Sequence, residues 1–77
     1  MVKPTRVTNA IRALRFAHGE MTQADLAGRI GVTRQTVIAI EQGRYSPSLE
    51  VAFQIARVFG VRVDDVFQYP DEAEEES

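Results

Sequence analysis

Residues 22–41, TQADLAGRIGVTRQTVIAIE, decide how the 77-residue chain folds. Thr22 is placed to cap a helix by accepting the free backbone N–H groups of its first turn. Leu26, Ala27 and Ile30 then recur at the three-to-four-residue interval of one buried face. Gly31 ends that helix, because a glycine just past a helix enters the left-handed conformation without the steric cost a Cβ incurs. Val32 can plug the corner. Thr33 is placed to cap a second helix, whose Val37 and Ile40 share one face and leave Arg34, Gln35 and Ile38 pointing away. Ala27 suits the crossing of the two, where a larger side chain would push the axes beyond about 8–10 Å. The pattern predicts two short helices crossing through a tight turn.

Working outward, Thr8 is the expected cap of a first helix with Ile11 and Leu14 on its apolar side, ending near Gly19. The second helix is predicted over residues 23–30 and the third over 34–42, stopped by Gly43. Residues 44–47 form a loop, Ser48 caps a fourth helix over 49–59, and Gly60 stops it. A last short helix starts near Val63 or Asp64, where Asp64 and Asp65 complement the positive end of the helix dipole, and finishes before Pro70. The predicted organisation is an irregular arm or edge strand over residues 1–8, a helical domain over 9–69, and an acidic, disordered tail over 70–77.

The stretch resembles the DNA-binding domain of the phage repressor and Cro family, also called the Xre family. Gln23, Leu26, Ala27, Ile30, Gly31, Val32, Thr33, Gln35, Val37, Ile40, Glu41 and Gly43 carry the resemblance. Tyr45-Ser46-Pro47-Ser48 and an Ala56…Phe59-Gly60-Val61 helix ending continue it, so that it covers roughly residues 9–67. One departure is visible: Gly19-Glu20-Met21 makes the link between the first two helices about one residue longer than usual. The resemblance implies an all-α, five-helix bundle containing a helix-turn-helix, whose third helix enters the major groove of duplex DNA.

At that position Gln35 can pair with adenine through two hydrogen bonds, Arg34 can do so with guanine or hold a phosphate, and Ile38 can touch a thymine methyl. By resemblance Gln23 grips a backbone phosphate at the start of the second helix, where free N–H groups favour an anion. Thr33, Arg44, Tyr45 and Ser46 are further phosphate candidates. The family pairs a glutamate of the third helix with an arginine of the first, which here implies Glu41 and Arg15. Were that pair buried, it would set how the third helix sits on the first.

Charge reads differently by position. The whole chain carries nine Lys and Arg against eleven Asp and Glu, net −2. Five of those acids (Asp71, Glu72, Glu74, Glu75, Glu76) lie beyond Pro70, so residues 1–70 hold nine basic against six acidic side chains, net +3. Phosphate binding responds to the local field, which decays over about 8–10 Å in physiological salt. There is no cysteine, which excludes disulfides and thiolate-metal sites and fits a reducing cytoplasm. No signal peptide or membrane span is expected, since the longest apolar run, Val37 to Ile40, is far short of the ~20 residues a spanning helix needs. His18, the lone histidine, has no second ligand at a suggestive spacing, and Asp64 and Asp65 point apart on a helix. No nucleophile and base pair or phosphate-cradling glycine loop appears, so neither an enzyme nor a cofactor or metal is expected.

The fourth helix holds more apolar surface than one core-facing stripe requires. Leu49, Ala52, Phe53, Ala56 and Phe59 make one side, and Val51, Ile55 and Val58 another. A domain this small gains from a partner. The expected use of the surplus is a homodimer contact built from Val51, Ile55, Val58, Val66, Phe67 and Tyr69. The leading functional expectation is a cytoplasmic, homodimeric, sequence-specific regulator on palindromic DNA. The alternative is an antitoxin-like module whose apolar surplus masks a protein partner.

Overall fold

The computed structural model describes residues 5–70. The elements run β1 (Thr8–Asn9), α1 (Ile11–Ala17), α2 (Gln23–Ile30), α3 (Arg34–Glu41), α4 (Leu49–Phe59), α5 (Val63–Val66) and β2 (Phe67–Gln68). Five helices account for nearly all the regular structure, as the sequence pattern implies, with a two-stranded ribbon added. The expected acidic tail lies outside the described residues, as does the start of the arm.

Side chains that cap the helices explain most of the boundaries. Thr22 Oγ1 accepts the Asp25 N–H at 2.9 Å while the Thr22 N–H reaches Asp25 Oδ2 at 3.3 Å, a reciprocal pair that closes the first turn of α2. Thr33 and Ser48 cap α3 and α4 in one direction only, accepting the Thr36 and Val51 N–H groups at 3.1 and 3.2 Å. Gly31 ends α2 at φ +73°, where a Cβ would be strained although space around it is open.

Thr8 does not cap α1. It lies in β1 opposite Gln68, and Asn9 opposite Phe67, in an antiparallel pairing that ties the start of the described chain to its end. Ala10 holds the N-cap position without a side-chain cap; Asn9 before it accepts the free Ile11 N–H through Oδ1 at 3.2 Å, and the Ala10 N–H goes to the Val66 carbonyl at 2.9 Å. For the same reason α5 stops at Val66 rather than near Pro70, since Phe67 is already extended (φ −123°, ψ 139°) for the ribbon.

Ile11, Leu26, Val37, Ile55 and Val66 are the largest fully buried side chains, joined in one core by Met21, Ile30, Ile40 and Phe59. This arrangement corrects the expected dimer face. Ile55 and Val66 are 1% and 0% exposed inside the chain's own core, and Val51, Val58 and Phe67 pack against it half-buried; Tyr69 remains exposed. The buried stripe of α4 is Ala52, Ile55, Ala56 and Phe59. The apolar surplus therefore falls on Leu49 and Phe53 instead.

Candidate nucleic-acid interface

In the turn between α2 and α3 the Gly31 N–H and the Val32 N–H both return to the Ala27 carbonyl, the latter at 3.0 Å, while the Val32 side chain packs against the core. Ala27 is itself buried at the crossing, so the two helices approach closely. Val37 and Ile40 anchor the inner face of α3 in the core. The opposite face begins with Arg34 and Gln35, both exposed, and continues with Ile38, which is half-buried. The leading end of α3 thus presents a cation and an amide on a helix whose position is set by packing.

Behind it lies a buried polar cluster. Arg15 is 7% exposed, and its Nε and Nη2 donate to Glu41 Oε2 and Oε1 at 2.7 and 3.1 Å, a two-pronged ion pair between α1 and α3. Arg15 Nη1 donates to the Met21 carbonyl at 2.9 Å, so one guanidinium also fixes the link into α2. Gln23 Nε2 donates to Glu41 Oε1 at 3.2 Å. The first turn of α2 is thereby tied to the last turn of α3. The link between α1 and α2 turns here as well: Gly19 and Glu20 are both left-handed, at φ +74° and +56°, and Met21 returns to the core.

A groove of about 700 Å³ opens beside this cluster, lined among others by Arg12, Phe16, Gln23, Arg34 and Glu41. The Phe16 ring is exposed, with the Arg12 and Arg15 guanidinium carbons each 5.5 Å from its centroid. Gln23 and Arg34 thus come together on one groove. The remaining phosphate candidates are elsewhere. Arg44, Tyr45 and Ser46 occupy the exposed loop after α3, where Arg44 Nε donates to Gln42 Oε1 at 2.8 Å and the Ser46 hydroxyl to Thr5 Oγ1 at 3.1 Å. The Thr5 N–H reaches the Gly43 carbonyl at 3.1 Å, so residue 5 braces this loop. The Thr33 hydroxyl is engaged by its own helix, meeting Thr36 Oγ1 at 3.0 Å and accepting the Thr36 N–H. His18 packs edge-on against Phe59, with ring centroids 5.1 Å apart.

Sequence reasoning missed Asn9. Its Nδ2 donates to the Ile40 carbonyl at 3.0 Å, so the residue that accepts the free Ile11 N–H of α1 also caps the far end of α3. An asparagine two residues before an apolar helix is a visible capping signal, but its partner 31 residues away is not.

Two short helices crossed at a left-handed glycine, with the second presenting a polar leading edge, define a helix-turn-helix protein. The model of the helix-turn-helix family HTH_3 matches residues 11–66, from the first residue of α1 to the last of α5. The chain belongs to this Xre-type family of DNA-binding transcription regulators, which is not a family of enzymes. It is 52% identical over 64 residues, covering 83% of this chain and 96% of the relative, to the uncharacterized HTH-type transcriptional regulator MJ0272 of Methanocaldococcus jannaschii. It is 34% identical over 59 residues to the cryptic phage CTXphi transcriptional repressor RstR of Vibrio cholerae, covering 77% of this chain and 52% of that repressor. A solved Bacteroides fragilis structure, 21% identical, superposes with a TM-score of 0.70 over 80% of this chain and 98% of its own, which establishes the likeness of fold. Among the described residues no helix is long and apolar enough to cross a membrane.

Proposed function

We propose that this chain is a cytoplasmic, sequence-specific transcription regulator. It binds a palindromic operator as a homodimer, laying one α3 into the major groove of each half-site, with half-sites about 34 Å apart. The observation that carries this reading is the exposure of Arg34 and Gln35 at the leading end of α3, whose opposite face is locked into the core by Val37 and Ile40. Gln35 reads adenine, Arg34 reads guanine or holds an adjoining phosphate, and the accessible part of Ile38 meets a thymine methyl. Gln23, held by Glu41 beside the same groove, the Thr33 hydroxyl at the start of α3, and Arg44, Tyr45 and Ser46 in the loop after it contact the backbone and set the register.

The test is Gln35→Ala, titrated against a selected operator and against unrelated duplex at one salt concentration. The exposed side chain carries no folding role, so the melting curve is unchanged. Operator affinity falls by about 1–3 kcal/mol while affinity for unrelated duplex holds. An equal loss on both sequences would refute base reading by Gln35.

A further inference from the structure

The exposed side of α4 pairs a knob with a hole. Leu49 and Phe53, 72% and 57% exposed, stand one helical turn apart, and Arg57 continues the same stripe one turn on. Scattered apolar residues on a surface need no explanation. Phe53, however, borders an open groove of about 540 Å³ that it lines together with Ala56, Val61 and Val63, with Arg57, Arg62 and Asp64 completing the lining, and Leu49 stands exposed one turn before it. Two-fold contacts require one patch to complement itself, with a projecting group and its receptacle on the same face.

Charge complements the shape. Glu50 flanks the start of the stripe and Arg57 its end, both exposed. When α4 lies antiparallel to a copy of itself, with Phe53 near the two-fold axis, residue 50 of each copy falls opposite residue 57 of the other. Each Glu50 then faces an Arg57, the two Phe53 rings meet at the axis, and each Leu49 reaches toward the groove of the partner. A parallel arrangement would set like charges together.

Resting on the homodimer reading above, we infer that the subunits join through this face of α4, antiparallel, with Phe53 at its centre and two Glu50–Arg57 contacts at its edges. The side chains that Val66 and Ile55 were expected to supply are replaced by Leu49 and Phe53, while the DNA-reading end of α3 is not used. The occupant is a second copy of this chain rather than a different protein, because knob, hole and both charges are present on one surface.

Sedimentation equilibrium of the full chain, with a circular-dichroism melt as a check on folding, tests it. The wild type is a dimer at tens of micromolar. Phe53→Glu raises the dissociation constant by about 30-fold or more, as expected for a central aromatic anchor, with the melt of the monomer retained. Glu50→Arg and Arg57→Glu each weaken the dimer by meeting a like charge, and the double variant recovers it. A dimer indifferent to Phe53→Glu, or a double variant no tighter than the singles, overturns this interface and leaves the homodimer reading standing. A wild type that stays at 8.6 kDa in free solution and binds operator DNA as one copy per duplex overturns both and leaves the face to a different protein.

Discussion

Replacing Glu41 by leucine removes one half of the ion pair that joins α1 to α3. The two side chains are 8% and 10% exposed, so the pair lies near the buried limit, where stranding one charge costs about 3–5 kcal/mol, rather than the solvated limit of about 0–1 kcal/mol. Arg15 keeps its bond to the Met21 carbonyl, and the neighbouring groove admits water, which places the loss at the lower end, about 3 kcal/mol. A domain of this size has roughly 3–5 kcal/mol in total. Glu41→Leu therefore sits at the edge of unfolding at 25 °C, and urea titration followed by circular dichroism measures it directly. The double variant Arg15→Met, Glu41→Leu leaves no stranded charge and recovers most of the loss. Should Glu41→Leu cost less than about 0.5 kcal/mol, the pair behaves as a solvated one and the reasoning fails.

Three further outcomes follow from particular residues. Gly28 lies inside α2, exposed and with nothing near a built Cβ, so Gly28→Ala stabilises by about 0.5–1 kcal/mol and raises the melting temperature by several degrees; a lower melting temperature would contradict this. Glu20 holds φ +56°, a conformation costing a side chain about 1–2 kcal/mol, so Glu20→Gly gives a net gain of about 0.5–1 kcal/mol in the same urea titration, after glycine's entropy loss. Arg44→Gln weakens binding to every duplex alike and reduces the slope of log affinity against log salt by about one unit; a loss confined to one sequence would make Arg44 a base reader.

Where a signal is local, it could be read directly. Thr22, Thr33 and Ser48 cap because a hydroxyl precedes an apolar-periodic run, and Gly31 ends α2 because a left-handed residue must follow it. The meeting of Arg15 with Glu41 came through family resemblance, since spacing alone says nothing about side chains 26 residues apart. Where sequence and structure differ, a distant part of the chain decides. Thr8 has the hydroxyl of a cap, but β2 recruits it into a ribbon through Gln68, 60 residues away. On α4, adjacent apolar stripes differ by a fraction of a turn, and the choice between them is made by α2 and α5 packing against it. That packing covers Ile55, and Val66 of α5 with it, and leaves Leu49 and Phe53 outside.

Selection of bound fragments from random duplex DNA by the full chain, in dilute buffer, tests most directly whether α3 reads bases. The account predicts enrichment of one short sequence repeated with two-fold symmetry at a spacing of about one helical turn, and a shifted preference when Gln35→Ala is selected in parallel. Recovery of fragments indistinguishable from the starting pool would contradict it.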